Sequence, residues 1–447
     1  MTTGAREHYL GQFAAHRAQL PGASLPGLQR GRDAAIERFA ELGLPTTRHE
    51  DWKYTNVSAL ERRLFATFTD VAPDGAAERE VARHALDGMH RLVFVDGRHV
   101  PGLSRIASLP PGARVGSLAQ LVATQSDIAE VLLAVESEPD ANGFAALNTA
   151  FWSDGAYIDL APGVVVDEPI HLLFLATRAD LASFPRNVVR AATGSAATVV
   201  EQYAGVDDAV YLTNAVTRIT AGEGARIAHT KLQQESGRSF HVADIRAAQA
   251  ADSRLVSQSF AFGGQLARND IATRFDAEGC DAKLVGLYVG SGRQHHDHHT
   301  CIDHARPRGT SRELYKGVLD DASRAVFNGR VIVRPDAQRT DAQQSNRNLL
   351  LSDSAEVDTK PQLEIWADDV KCAHGATVGQ LDADQLHYLR ARGLDAATAR
   401  GLLIHAFAAD VLRDITHPGL HARLATLLPG QLPEDMGKLR CELLPTS

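Results

Sequence analysis

The densest group of potential metal ligands in the sequence is GRQHHDHHTCIDH, residues 292–304. Imidazole, carboxylate and thiolate groups are common protein ligands for zinc and iron, so this run could supply a metal site. It follows the apolar segment KLVGLYVG, which predicts a β-strand, and alternate residues of a strand share a face. One face would carry His296, His298, Thr300, Ile302 and His304, and the other His295, Asp297, His299, Cys301 and Asp303.

Two interpretations of this histidine run remain open. A His-x-His pair on one strand supplies two ligands in cupins, which makes His296 and His298 candidate metal ligands, with His304 as a further candidate. A cupin site would also need a carboxylate a few residues downstream, where Asp303 is the only substitute. The alternative is a solvated strand face on which the histidines stack along the ladder.

A second candidate site lies in the later segment DDVKCAHGATVG. Cys372 and His374 are two residues apart, so they share one side if the segment is extended. A thiolate and an imidazole can both bind iron or zinc, but two ligands do not complete a site. A site within this chain would need further ligands from elsewhere, whereas a site shared with another subunit would not. The alternative is a buried cysteine beside a hydrogen-bonded core histidine.

Composition and charge exclude several classes of protein. The 447 residues carry a formal net charge of −9, spread along the chain, whereas nucleic-acid and anionic-membrane binders need clustered Lys and Arg. The N-terminus lacks the apolar core of a secretory signal, and no apolar run approaches the roughly 18 residues of a membrane span. Four cysteines without a CxxC pair argue against a disulfide framework. We expect a soluble, cytoplasmic protein. The cysteines are Cys280, Cys301, Cys372 and Cys441.

The elements that must position these residues fall into three predicted regions, 1–154, 155–381 and 382–447. The first region is helical and mixed. Its residues 32–44 show helical periodicity with Gly43 and Pro45 as stop signals, and RLVFVDGRHV predicts a hairpin around Asp96 and Gly97. The segment SDIAEVLLAV, residues 126–135, predicts a short helix.

The second region consists of short apolar runs separated by turn residues, which predicts many strands without intervening helices. Six segments share a pattern of a small residue, a mostly basic residue and an apolar run, at intervals of 28, 28, 29, 41 and 32 residues. Near-constant spacing favours a β-solenoid, in which each coil buries its inward face against its neighbours. A large sandwich or jelly roll is the alternative. The equivalent positions are Thr198, Arg226, Arg254, Lys283, Arg324 and Glu356.

The third region predicts helices. DAATARGLLIHAFAADVLRDI has Asp395 as a candidate N-cap and apolar residues at helical steps. Two shorter helical stretches would follow it to the end of the chain. This helical cap would either close the end of the solenoid, where strand edges are otherwise unpaired, or offer an apolar face to a partner.

Four stretches carry a resemblance to a known family. They are RHEDWKYTNVSAL, FAALNTAFWSDGAYIDLAPGVVVDEPIHLLFLAT, YKGVLDDASRAVFNGRVIVRPDAQRTDAQQSNRNLLLSDSA and PQLEIWADDVKCAHGATVGQLDADQLHYLRARGL. Together they resemble the SufB/SufD family of the SUF iron–sulfur cluster assembly system over nearly the whole chain. The form KCAHGATVG and the chain length are most like the SufD branch. Ala373 stands where that family commonly has Ser, which removes no candidate ligand.

The resemblance implies a right-handed parallel β-helix between helical terminal regions. It also implies a complex with a SufB-like subunit and a SufC-like ABC ATPase, and a transient iron–sulfur cluster formed where the SufB-like and SufD-like subunits meet. By position, His374 would contribute to that cluster, with Cys372 as its neighbour, and His304 sits where a family histidine often occurs. The C-terminal helical region would dock the ATPase through Ala399, Leu402, Leu403, Ala406, Phe407 and Val411.

The resulting prediction is a scaffold subunit and not an enzyme. No GxxxxGK[ST] segment is present, so ATP hydrolysis would belong to the partner. Two alternatives remain: a cupin-like metalloenzyme using the His295–His304 run, and a β-helix carbohydrate-active enzyme, for which no segment marks the required carboxylate-lined cleft. The sequence leaves open the cluster type, the sulfur donor, the participation of a flavin, and whether the chain forms a homodimer when alone.

Overall fold

A computed structural model describes residues 4–68, 75–125 and 142–429. The helix predicted at 126–135 and the final helical stretch predicted near the C-terminus lie outside the described residues. None of the described helices is both long and apolar enough to cross a membrane.

The N-terminal region is built from helices and short 3-10 turns. The helix predicted around residues 32–44 is confirmed as part of a longer one, which stops at Gly43, a residue with φ of 63°. Glycine adopts this left-handed conformation without strain, so it terminates the helix. The helices are α1 Ala5–His16, α2 Pro26–Leu42, α3 Ser58–Glu61, α4 Gly75–His84, α5 Leu118–Thr124 and α6 Gly143–Phe151, and the 3-10 turns are Arg17–Gln19, Glu50–Trp52 and Pro101–Leu103.

Twenty strands of the described residues form the centre of the molecule. They are β1 His90–Val95, β2 Arg98–His99, β3 Ala113–Ser117, β4 Ala156–Leu160, β5 Ile170–Ala176, β6 Ala182–Ser183, β7 Arg186–Ala191, β8 Ala196–Gly205, β9 Leu212–Ala221, β10 Arg226–Gln234, β11 Phe240–Gln249, β12 Arg254–Ala261, β13 Leu266–Phe275, β14 Asp281–Gly290, β15 His295–His304, β16 Thr310–Leu319, β17 Arg324–Val333, β18 Asp341–Leu350, β19 Glu356–Ile365 and β20 Lys371–Gly379.

These strands confirm the predicted β-solenoid. The first sheet has the order β2-β1-β5-β8-β10-β12-β14-β16-β18-β20, and the second runs from β19 through β17, β15, β13, β11, β9, β7 and β4 to β3. From β7 to β20, consecutive strands alternate between the two sheets, and neighbouring strands within each sheet pair in parallel. Strands β1 and β3, which precede residue 155, already belong to these sheets. The predicted hairpin is confirmed as the antiparallel pair of β1 and β2.

The repeat is real, but only two of the five predicted equivalences between its positions are confirmed, Arg226 with Arg254 and Arg324 with Glu356. Arg226 pairs with Arg254, yet the partner of Arg226 on β8 is Ala196 and not Thr198. Arg324 and Glu356 lie in the second sheet, on β17 and β19. The 41-residue interval from Lys283 to Arg324 therefore spans one and a half coils, since Lys283 lies in the first sheet and Arg324 in the second. Both sheets carry the same small-basic-apolar pattern. In the first sheet, successive partners from β8 to β20 are 27 to 31 residues apart.

The solenoid interior combines apolar side chains with paired polar groups. His229 Nε2 lies 2.9 Å from Glu201 Oε2, and both side chains are buried. Burial would raise the pKa of Glu201, but His229 and the Tyr203 hydroxyl outweigh it and lower the pKa to about 2. Lys231 Nζ donates to Asn269 Oδ1 at 2.5 Å inside the same space. Since these polar groups have partners, their burial is tolerated.

The C-terminal helices pack on the side of the solenoid. They are α7 Ala383–Ala391, α8 Ala396–Leu412 and α9 Pro418–Thr426. Asp395 is the N-cap of α8, as predicted, and its carboxylate accepts from Ala397 N and Thr398 N. Apolar residues of α8 pack against the outer face of the first sheet, including Leu287 and Val318. Of the two alternatives for these helices, closing the solenoid end is wrong, because the residues of the last strand β20 are exposed, apart from the half-buried Cys372.

Candidate functional site

Strand β20 places Cys372 and His374 in the last coil of the solenoid. In its parallel register with β18, Cys372 lies beside Ala342 and His374 beside Gln344. Ala342 and Gln344 are buried, and side chains at paired positions project to the same side of a sheet. Both candidate ligands therefore face the interior side of the solenoid, at its uncovered end.

The two candidate ligands differ in their surroundings. Cys372 is half-buried and packs beside Ala342 and Val331, and burial raises the pKa of its thiol. The thiol therefore keeps its proton at neutral pH. His374 is exposed, so the alternative of a core histidine is wrong for this residue.

The last coil also presents unpaired backbone. Lys371 N donates to Thr340 O, toward β18. Alternate N–H groups of a strand in a parallel ladder point to opposite sides, so those of Cys372, His374, Ala376 and Val378 point away from β18. No described strand lies on that side. Such an edge can pair with a strand of another chain.

Exposed apolar side chains lie at the same end of the solenoid, near its last coil. Trp366 is 55% exposed and Tyr388 is 56% exposed, and Ile365 and Val378 are also exposed. These four lie on or next to β19, β20 and α7. Large apolar side chains left exposed near one end of a fold are typical of a protein–protein contact.

The chemistry available at this end is that of an incomplete metal site. A thiol and an imidazole on one strand supply two ligands, and iron or zinc takes four when tetrahedral. Within the described ranges, no group of three or more His, Cys, Asp and Glu residues is arranged to hold a metal. Together with the unpaired edge, this arrangement fits a site that a second chain completes.

The histidine run occupies β15, and its two faces divide as predicted. His296, His298 and His304 are completely buried in the solenoid interior, so the interpretation as a solvated strand face is wrong. Burial lowers the pKa of His296 to about 3 and that of His304 to about 4. His298 stacks on Tyr288 with ring centroids 5.1 Å apart. These imidazoles are therefore neutral core groups at physiological pH.

The outer face of the same strand anchors the N-terminal segment HEDWKYT. Arg268 on the neighbouring strand β13 donates to Asp297 Oδ2 at 2.7 Å and to Asp51 O at 2.6 Å. Its guanidinium lies 3.8 Å from the centre of the Trp52 ring, and Thr55 Oγ1 donates to Asp297 at 2.6 Å. The buried Trp52 ring therefore anchors this segment to the second sheet.

The residues predicted to dock an ATPase lie on both faces of α8. Ala399 and Val411 are fully buried, and Val411 packs against the solenoid. Leu402, Leu403 and Phe407 are half-exposed, and Ala406 is exposed. The last four side chains are accessible to a partner in this structure.

A cavity of about 890 Å³ lies on the outer face of the second sheet, away from Cys372 and His374. Each of its six arginines has a carboxylate within 3.8 Å. The positive charge of the cavity is therefore largely balanced by the protein itself. The arginines are Arg190, Arg218, Arg246, Arg274, Arg330 and Arg334.

Two family profiles together match most of the chain. One is described as the SUF system FeS cluster assembly, SufBD core domain, and it matches residues 174–407. The other is the SufBD protein N-terminal region, and it matches residues 3–172. The N-terminal match includes the HEDWKYT anchor, and the core match includes Cys372 and His374.

Three curated relatives match over nearly their full lengths. An iron–sulfur cluster assembly SufBD family protein of Synechocystis sp. is 35% identical over 425 residues, which cover 92% of this chain and 93% of the relative. The iron–sulfur cluster assembly protein SufD of Escherichia coli is 34% identical over 405 residues, covering 88% and 92%. SufD of Bacillus subtilis is 26% identical over 413 residues, covering 90% and 93%.

Proposed function

Because this chain belongs to the SufBD family of the SUF iron–sulfur cluster assembly system, we propose that it is a scaffold subunit on which nascent clusters are formed. The proposed role is non-catalytic and cytoplasmic, and ATP hydrolysis belongs to a SufC-like partner. The observation that carries the proposal is the pair Cys372 and His374, held on an unpaired edge strand with too few ligands for a site of its own.

The proposed partner at the solenoid end is a SufB-like subunit. Strands β19 and β20 would pair with strands of that subunit, and Trp366 and Val378 would be buried by it. The partner would supply the remaining ligands for iron, so the transient cluster would be shared between the two chains. This division explains why Cys372 and His374 sit where a second chain can reach them.

The proposed contact for the ATPase is the accessible part of α8, formed by Leu402, Leu403 and Ala406 together with Phe407, whose ring also packs over Lys316 of the solenoid. Ala399 and Val411 hold the helix in place instead, because they are buried. Two ATPase subunits, one on each scaffold chain, would approach each other on binding ATP. That movement would strain the shared interface, expose Cys372 and His374, and admit iron and sulfide.

The experiment that tests this function uses the complete complex. The chain is co-expressed with SufB-like and SufC-like subunits, purified by size exclusion with mass detection, and analysed for iron and sulfide. We expect His374→Ala to keep the complex intact and to lower cluster yield at least tenfold, because one iron ligand is lost. The matched control is His49→Ala, an exposed histidine in the N-terminal region. Unchanged yield in His374→Ala would refute the proposal.

A further inference from the structure

We propose that Gln344 positions the imidazole of His374 by accepting a hydrogen bond from one ring N–H, which leaves the other ring nitrogen free for iron. This inference rests on the proposed role of His374 as a cluster ligand. Gln344 would touch neither iron nor sulfide, so it would be a positioning residue.

The first observation is an unused hydrogen-bond acceptor. Gln344 is buried, and its Nε2 donates to Glu313 Oε2 at 2.7 Å. Its Oε1 is buried as well and has no hydrogen-bond partner among the described residues. Buried polar atoms without partners are rare and costly, so this atom is expected to have a partner in the working protein.

The second observation is the alignment of three side chains across three strands. Glu313 on β16 pairs with Gln344 on β18, which pairs with His374 on β20. Neighbouring strands are about 4.8 Å apart, so successive side chains in this row are within hydrogen-bonding reach. His374 has no hydrogen-bond partner among the described residues. The free acceptor and the free imidazole are therefore one strand apart on the same face.

The third observation is that the amide of Gln344 is fixed. The Glu313 carboxylate accepts from its NH₂ group, which assigns the nitrogen to the β16 side and leaves the oxygen for β20. Across the coil, a Cβ at Gly329 would overlap Nε2 and Cδ of Gln344. The amide thus fills the space that this glycine provides, and its orientation is set from two sides.

The consequence for His374 follows from imidazole chemistry. A neutral imidazole has one N–H and one lone pair, and a metal binds the lone pair. Metal-binding histidines usually donate their N–H to a fixed acceptor, which selects the tautomer and orients the ring. Gln344 Oε1 would be that acceptor. Cys372 lies beside Ala342, which has no polar side-chain group. The proposed hydrogen bond therefore positions His374 and has no counterpart at Cys372.

The test compares three variants of the full chain. Gln344→Met keeps a similar length but removes the acceptor, and Gln344→Glu keeps an oxygen at the same place. Gln343→Met is the matched control, because Gln343 is the exposed neighbour on the opposite face of β18. With ¹⁵N-labelled histidine, the tautomer of His374 is read from its ring ¹⁵N shifts, which are assigned by their loss in His374→Ala.

We expect one tautomer to dominate in the wild type, in Gln344→Glu and in Gln343→Met, and the tautomer ratio to fall at least threefold in Gln344→Met. In the assembled complex, iron loss to a chelator should be about tenfold faster in Gln344→Met than in Gln343→Met. An unchanged tautomer ratio in a folded Gln344→Met variant overturns the inference. A changed ratio combined with full cluster yield in His374→Ala overturns the proposed function and supports the hydrogen bond.

Discussion

Arg268 illustrates how a fully buried charge can be accommodated on the surface of a sheet. Its side chain contacts two carboxylates, Asp270 at 2.8 Å and Asp297 at 2.7 Å, together with the face of Trp52. Burial acts to lower the pKa of Arg268, but the two carboxylates outweigh it and raise the pKa further. The residue therefore remains charged and joins the N-terminal segment to the solenoid.

Replacing Arg268 by Ala should destabilise the protein strongly. The change leaves Asp297 buried without its main partner, and breaking a buried pair costs about 3–5 kcal/mol in free energy of unfolding. Arg274→Ala, on the same strand, removes an exposed pair with Asp276 and should cost less than about 1 kcal/mol. Urea unfolding followed by circular dichroism measures both. Equal losses of unfolding free energy in the two variants would show that the buried ion pair stabilises the protein no more than the exposed one.

Glu313 should make stability depend on pH in the direction opposite to most carboxylates. Burial raises its pKa from 4.5 to about 7, so the folded state holds the proton more tightly than the unfolded state. The resulting stabilisation is complete below pH 4.5 and is lost as pH rises to about 7. At about 1.4 kcal/mol per pKa unit, the loss is about 3 kcal/mol.

The measurement is the difference in unfolding free energy between the wild type and Glu313→Gln across this pH range. The variant cannot ionise at this position, so it should gain about 3 kcal/mol relative to the wild type between pH 4.5 and pH 7.5. A difference that is constant with pH would mean that Glu313 does not titrate in this range.

At the scale of the elements, the docking of helix α8 on the solenoid depends on one buried lysine. Lys316 on β16 is almost fully buried, and its Nζ donates to Phe407 O and to Asp410 Oδ2, both at 2.6 Å. Lys283 forms a second pair with Asp414 at 2.6 Å, but both of those side chains are partly exposed. The two lysines therefore form a natural comparison of buried and exposed contacts to one helix.

We expect Lys316→Met to loosen the docking of α8. Losing charged hydrogen bonds in a buried place costs about 2 kcal/mol, which corresponds to a roughly thirtyfold larger detached fraction. Lys283→Met should change that fraction less than about fivefold. Limited proteolysis between α7 and α9 measures the detached fraction. Equal cleavage rates in the two variants would contradict this role for Lys316.

Local sequence rules predicted the single elements well. The alternation of β15 assigned each of its residues to the correct face, and Asp395 was identified as the cap of α8 from its position before an apolar repeat. Alternation does not tell which face is inside, because the interior of this solenoid is partly polar. One of the two interpretations of the histidine run therefore placed His296 and His298 on a solvated face, although the structure buries them completely.

Contacts between coils were harder to predict than the elements. Cys372 and His374 could be paired from their spacing of two, because that rule acts within one strand. Gln344 and Glu313 were missed because their relation to His374 depends on register between strands about 30 residues apart. Turns of unequal length shift that register, as the wrong equivalence of Thr198 and Arg226 shows.

At the scale of the whole molecule, the two ends of the solenoid differ in the strands that form their edges. At the N-terminal end, the edge strands are the short β2 and β3, and each pairs antiparallel with its neighbour. At the other end, β19 and β20 keep open edges, and the C-terminal helices lie on the flank. An open edge promotes uncontrolled association unless a partner covers it. The architecture thus favours assembly through the last coil.

Ala376→Pro should separate assembly from folding. The N–H of Ala376 points to the open edge, so its loss removes a bond to a partner strand and none within the chain, and proline is tolerated on an edge. Thr377→Pro is the comparison, because the N–H of Thr377 points to β18 and its loss breaks the chain's own ladder. The temperature of thermal unfolding should be near wild type in Ala376→Pro and clearly lowered in Thr377→Pro.

Size exclusion with light scattering measures assembly. It should show at least tenfold weaker pairing of Ala376→Pro with the SufB-like subunit, and with itself if the chain alone is a dimer. Wild-type assembly by a folded Ala376→Pro variant would place the interface elsewhere.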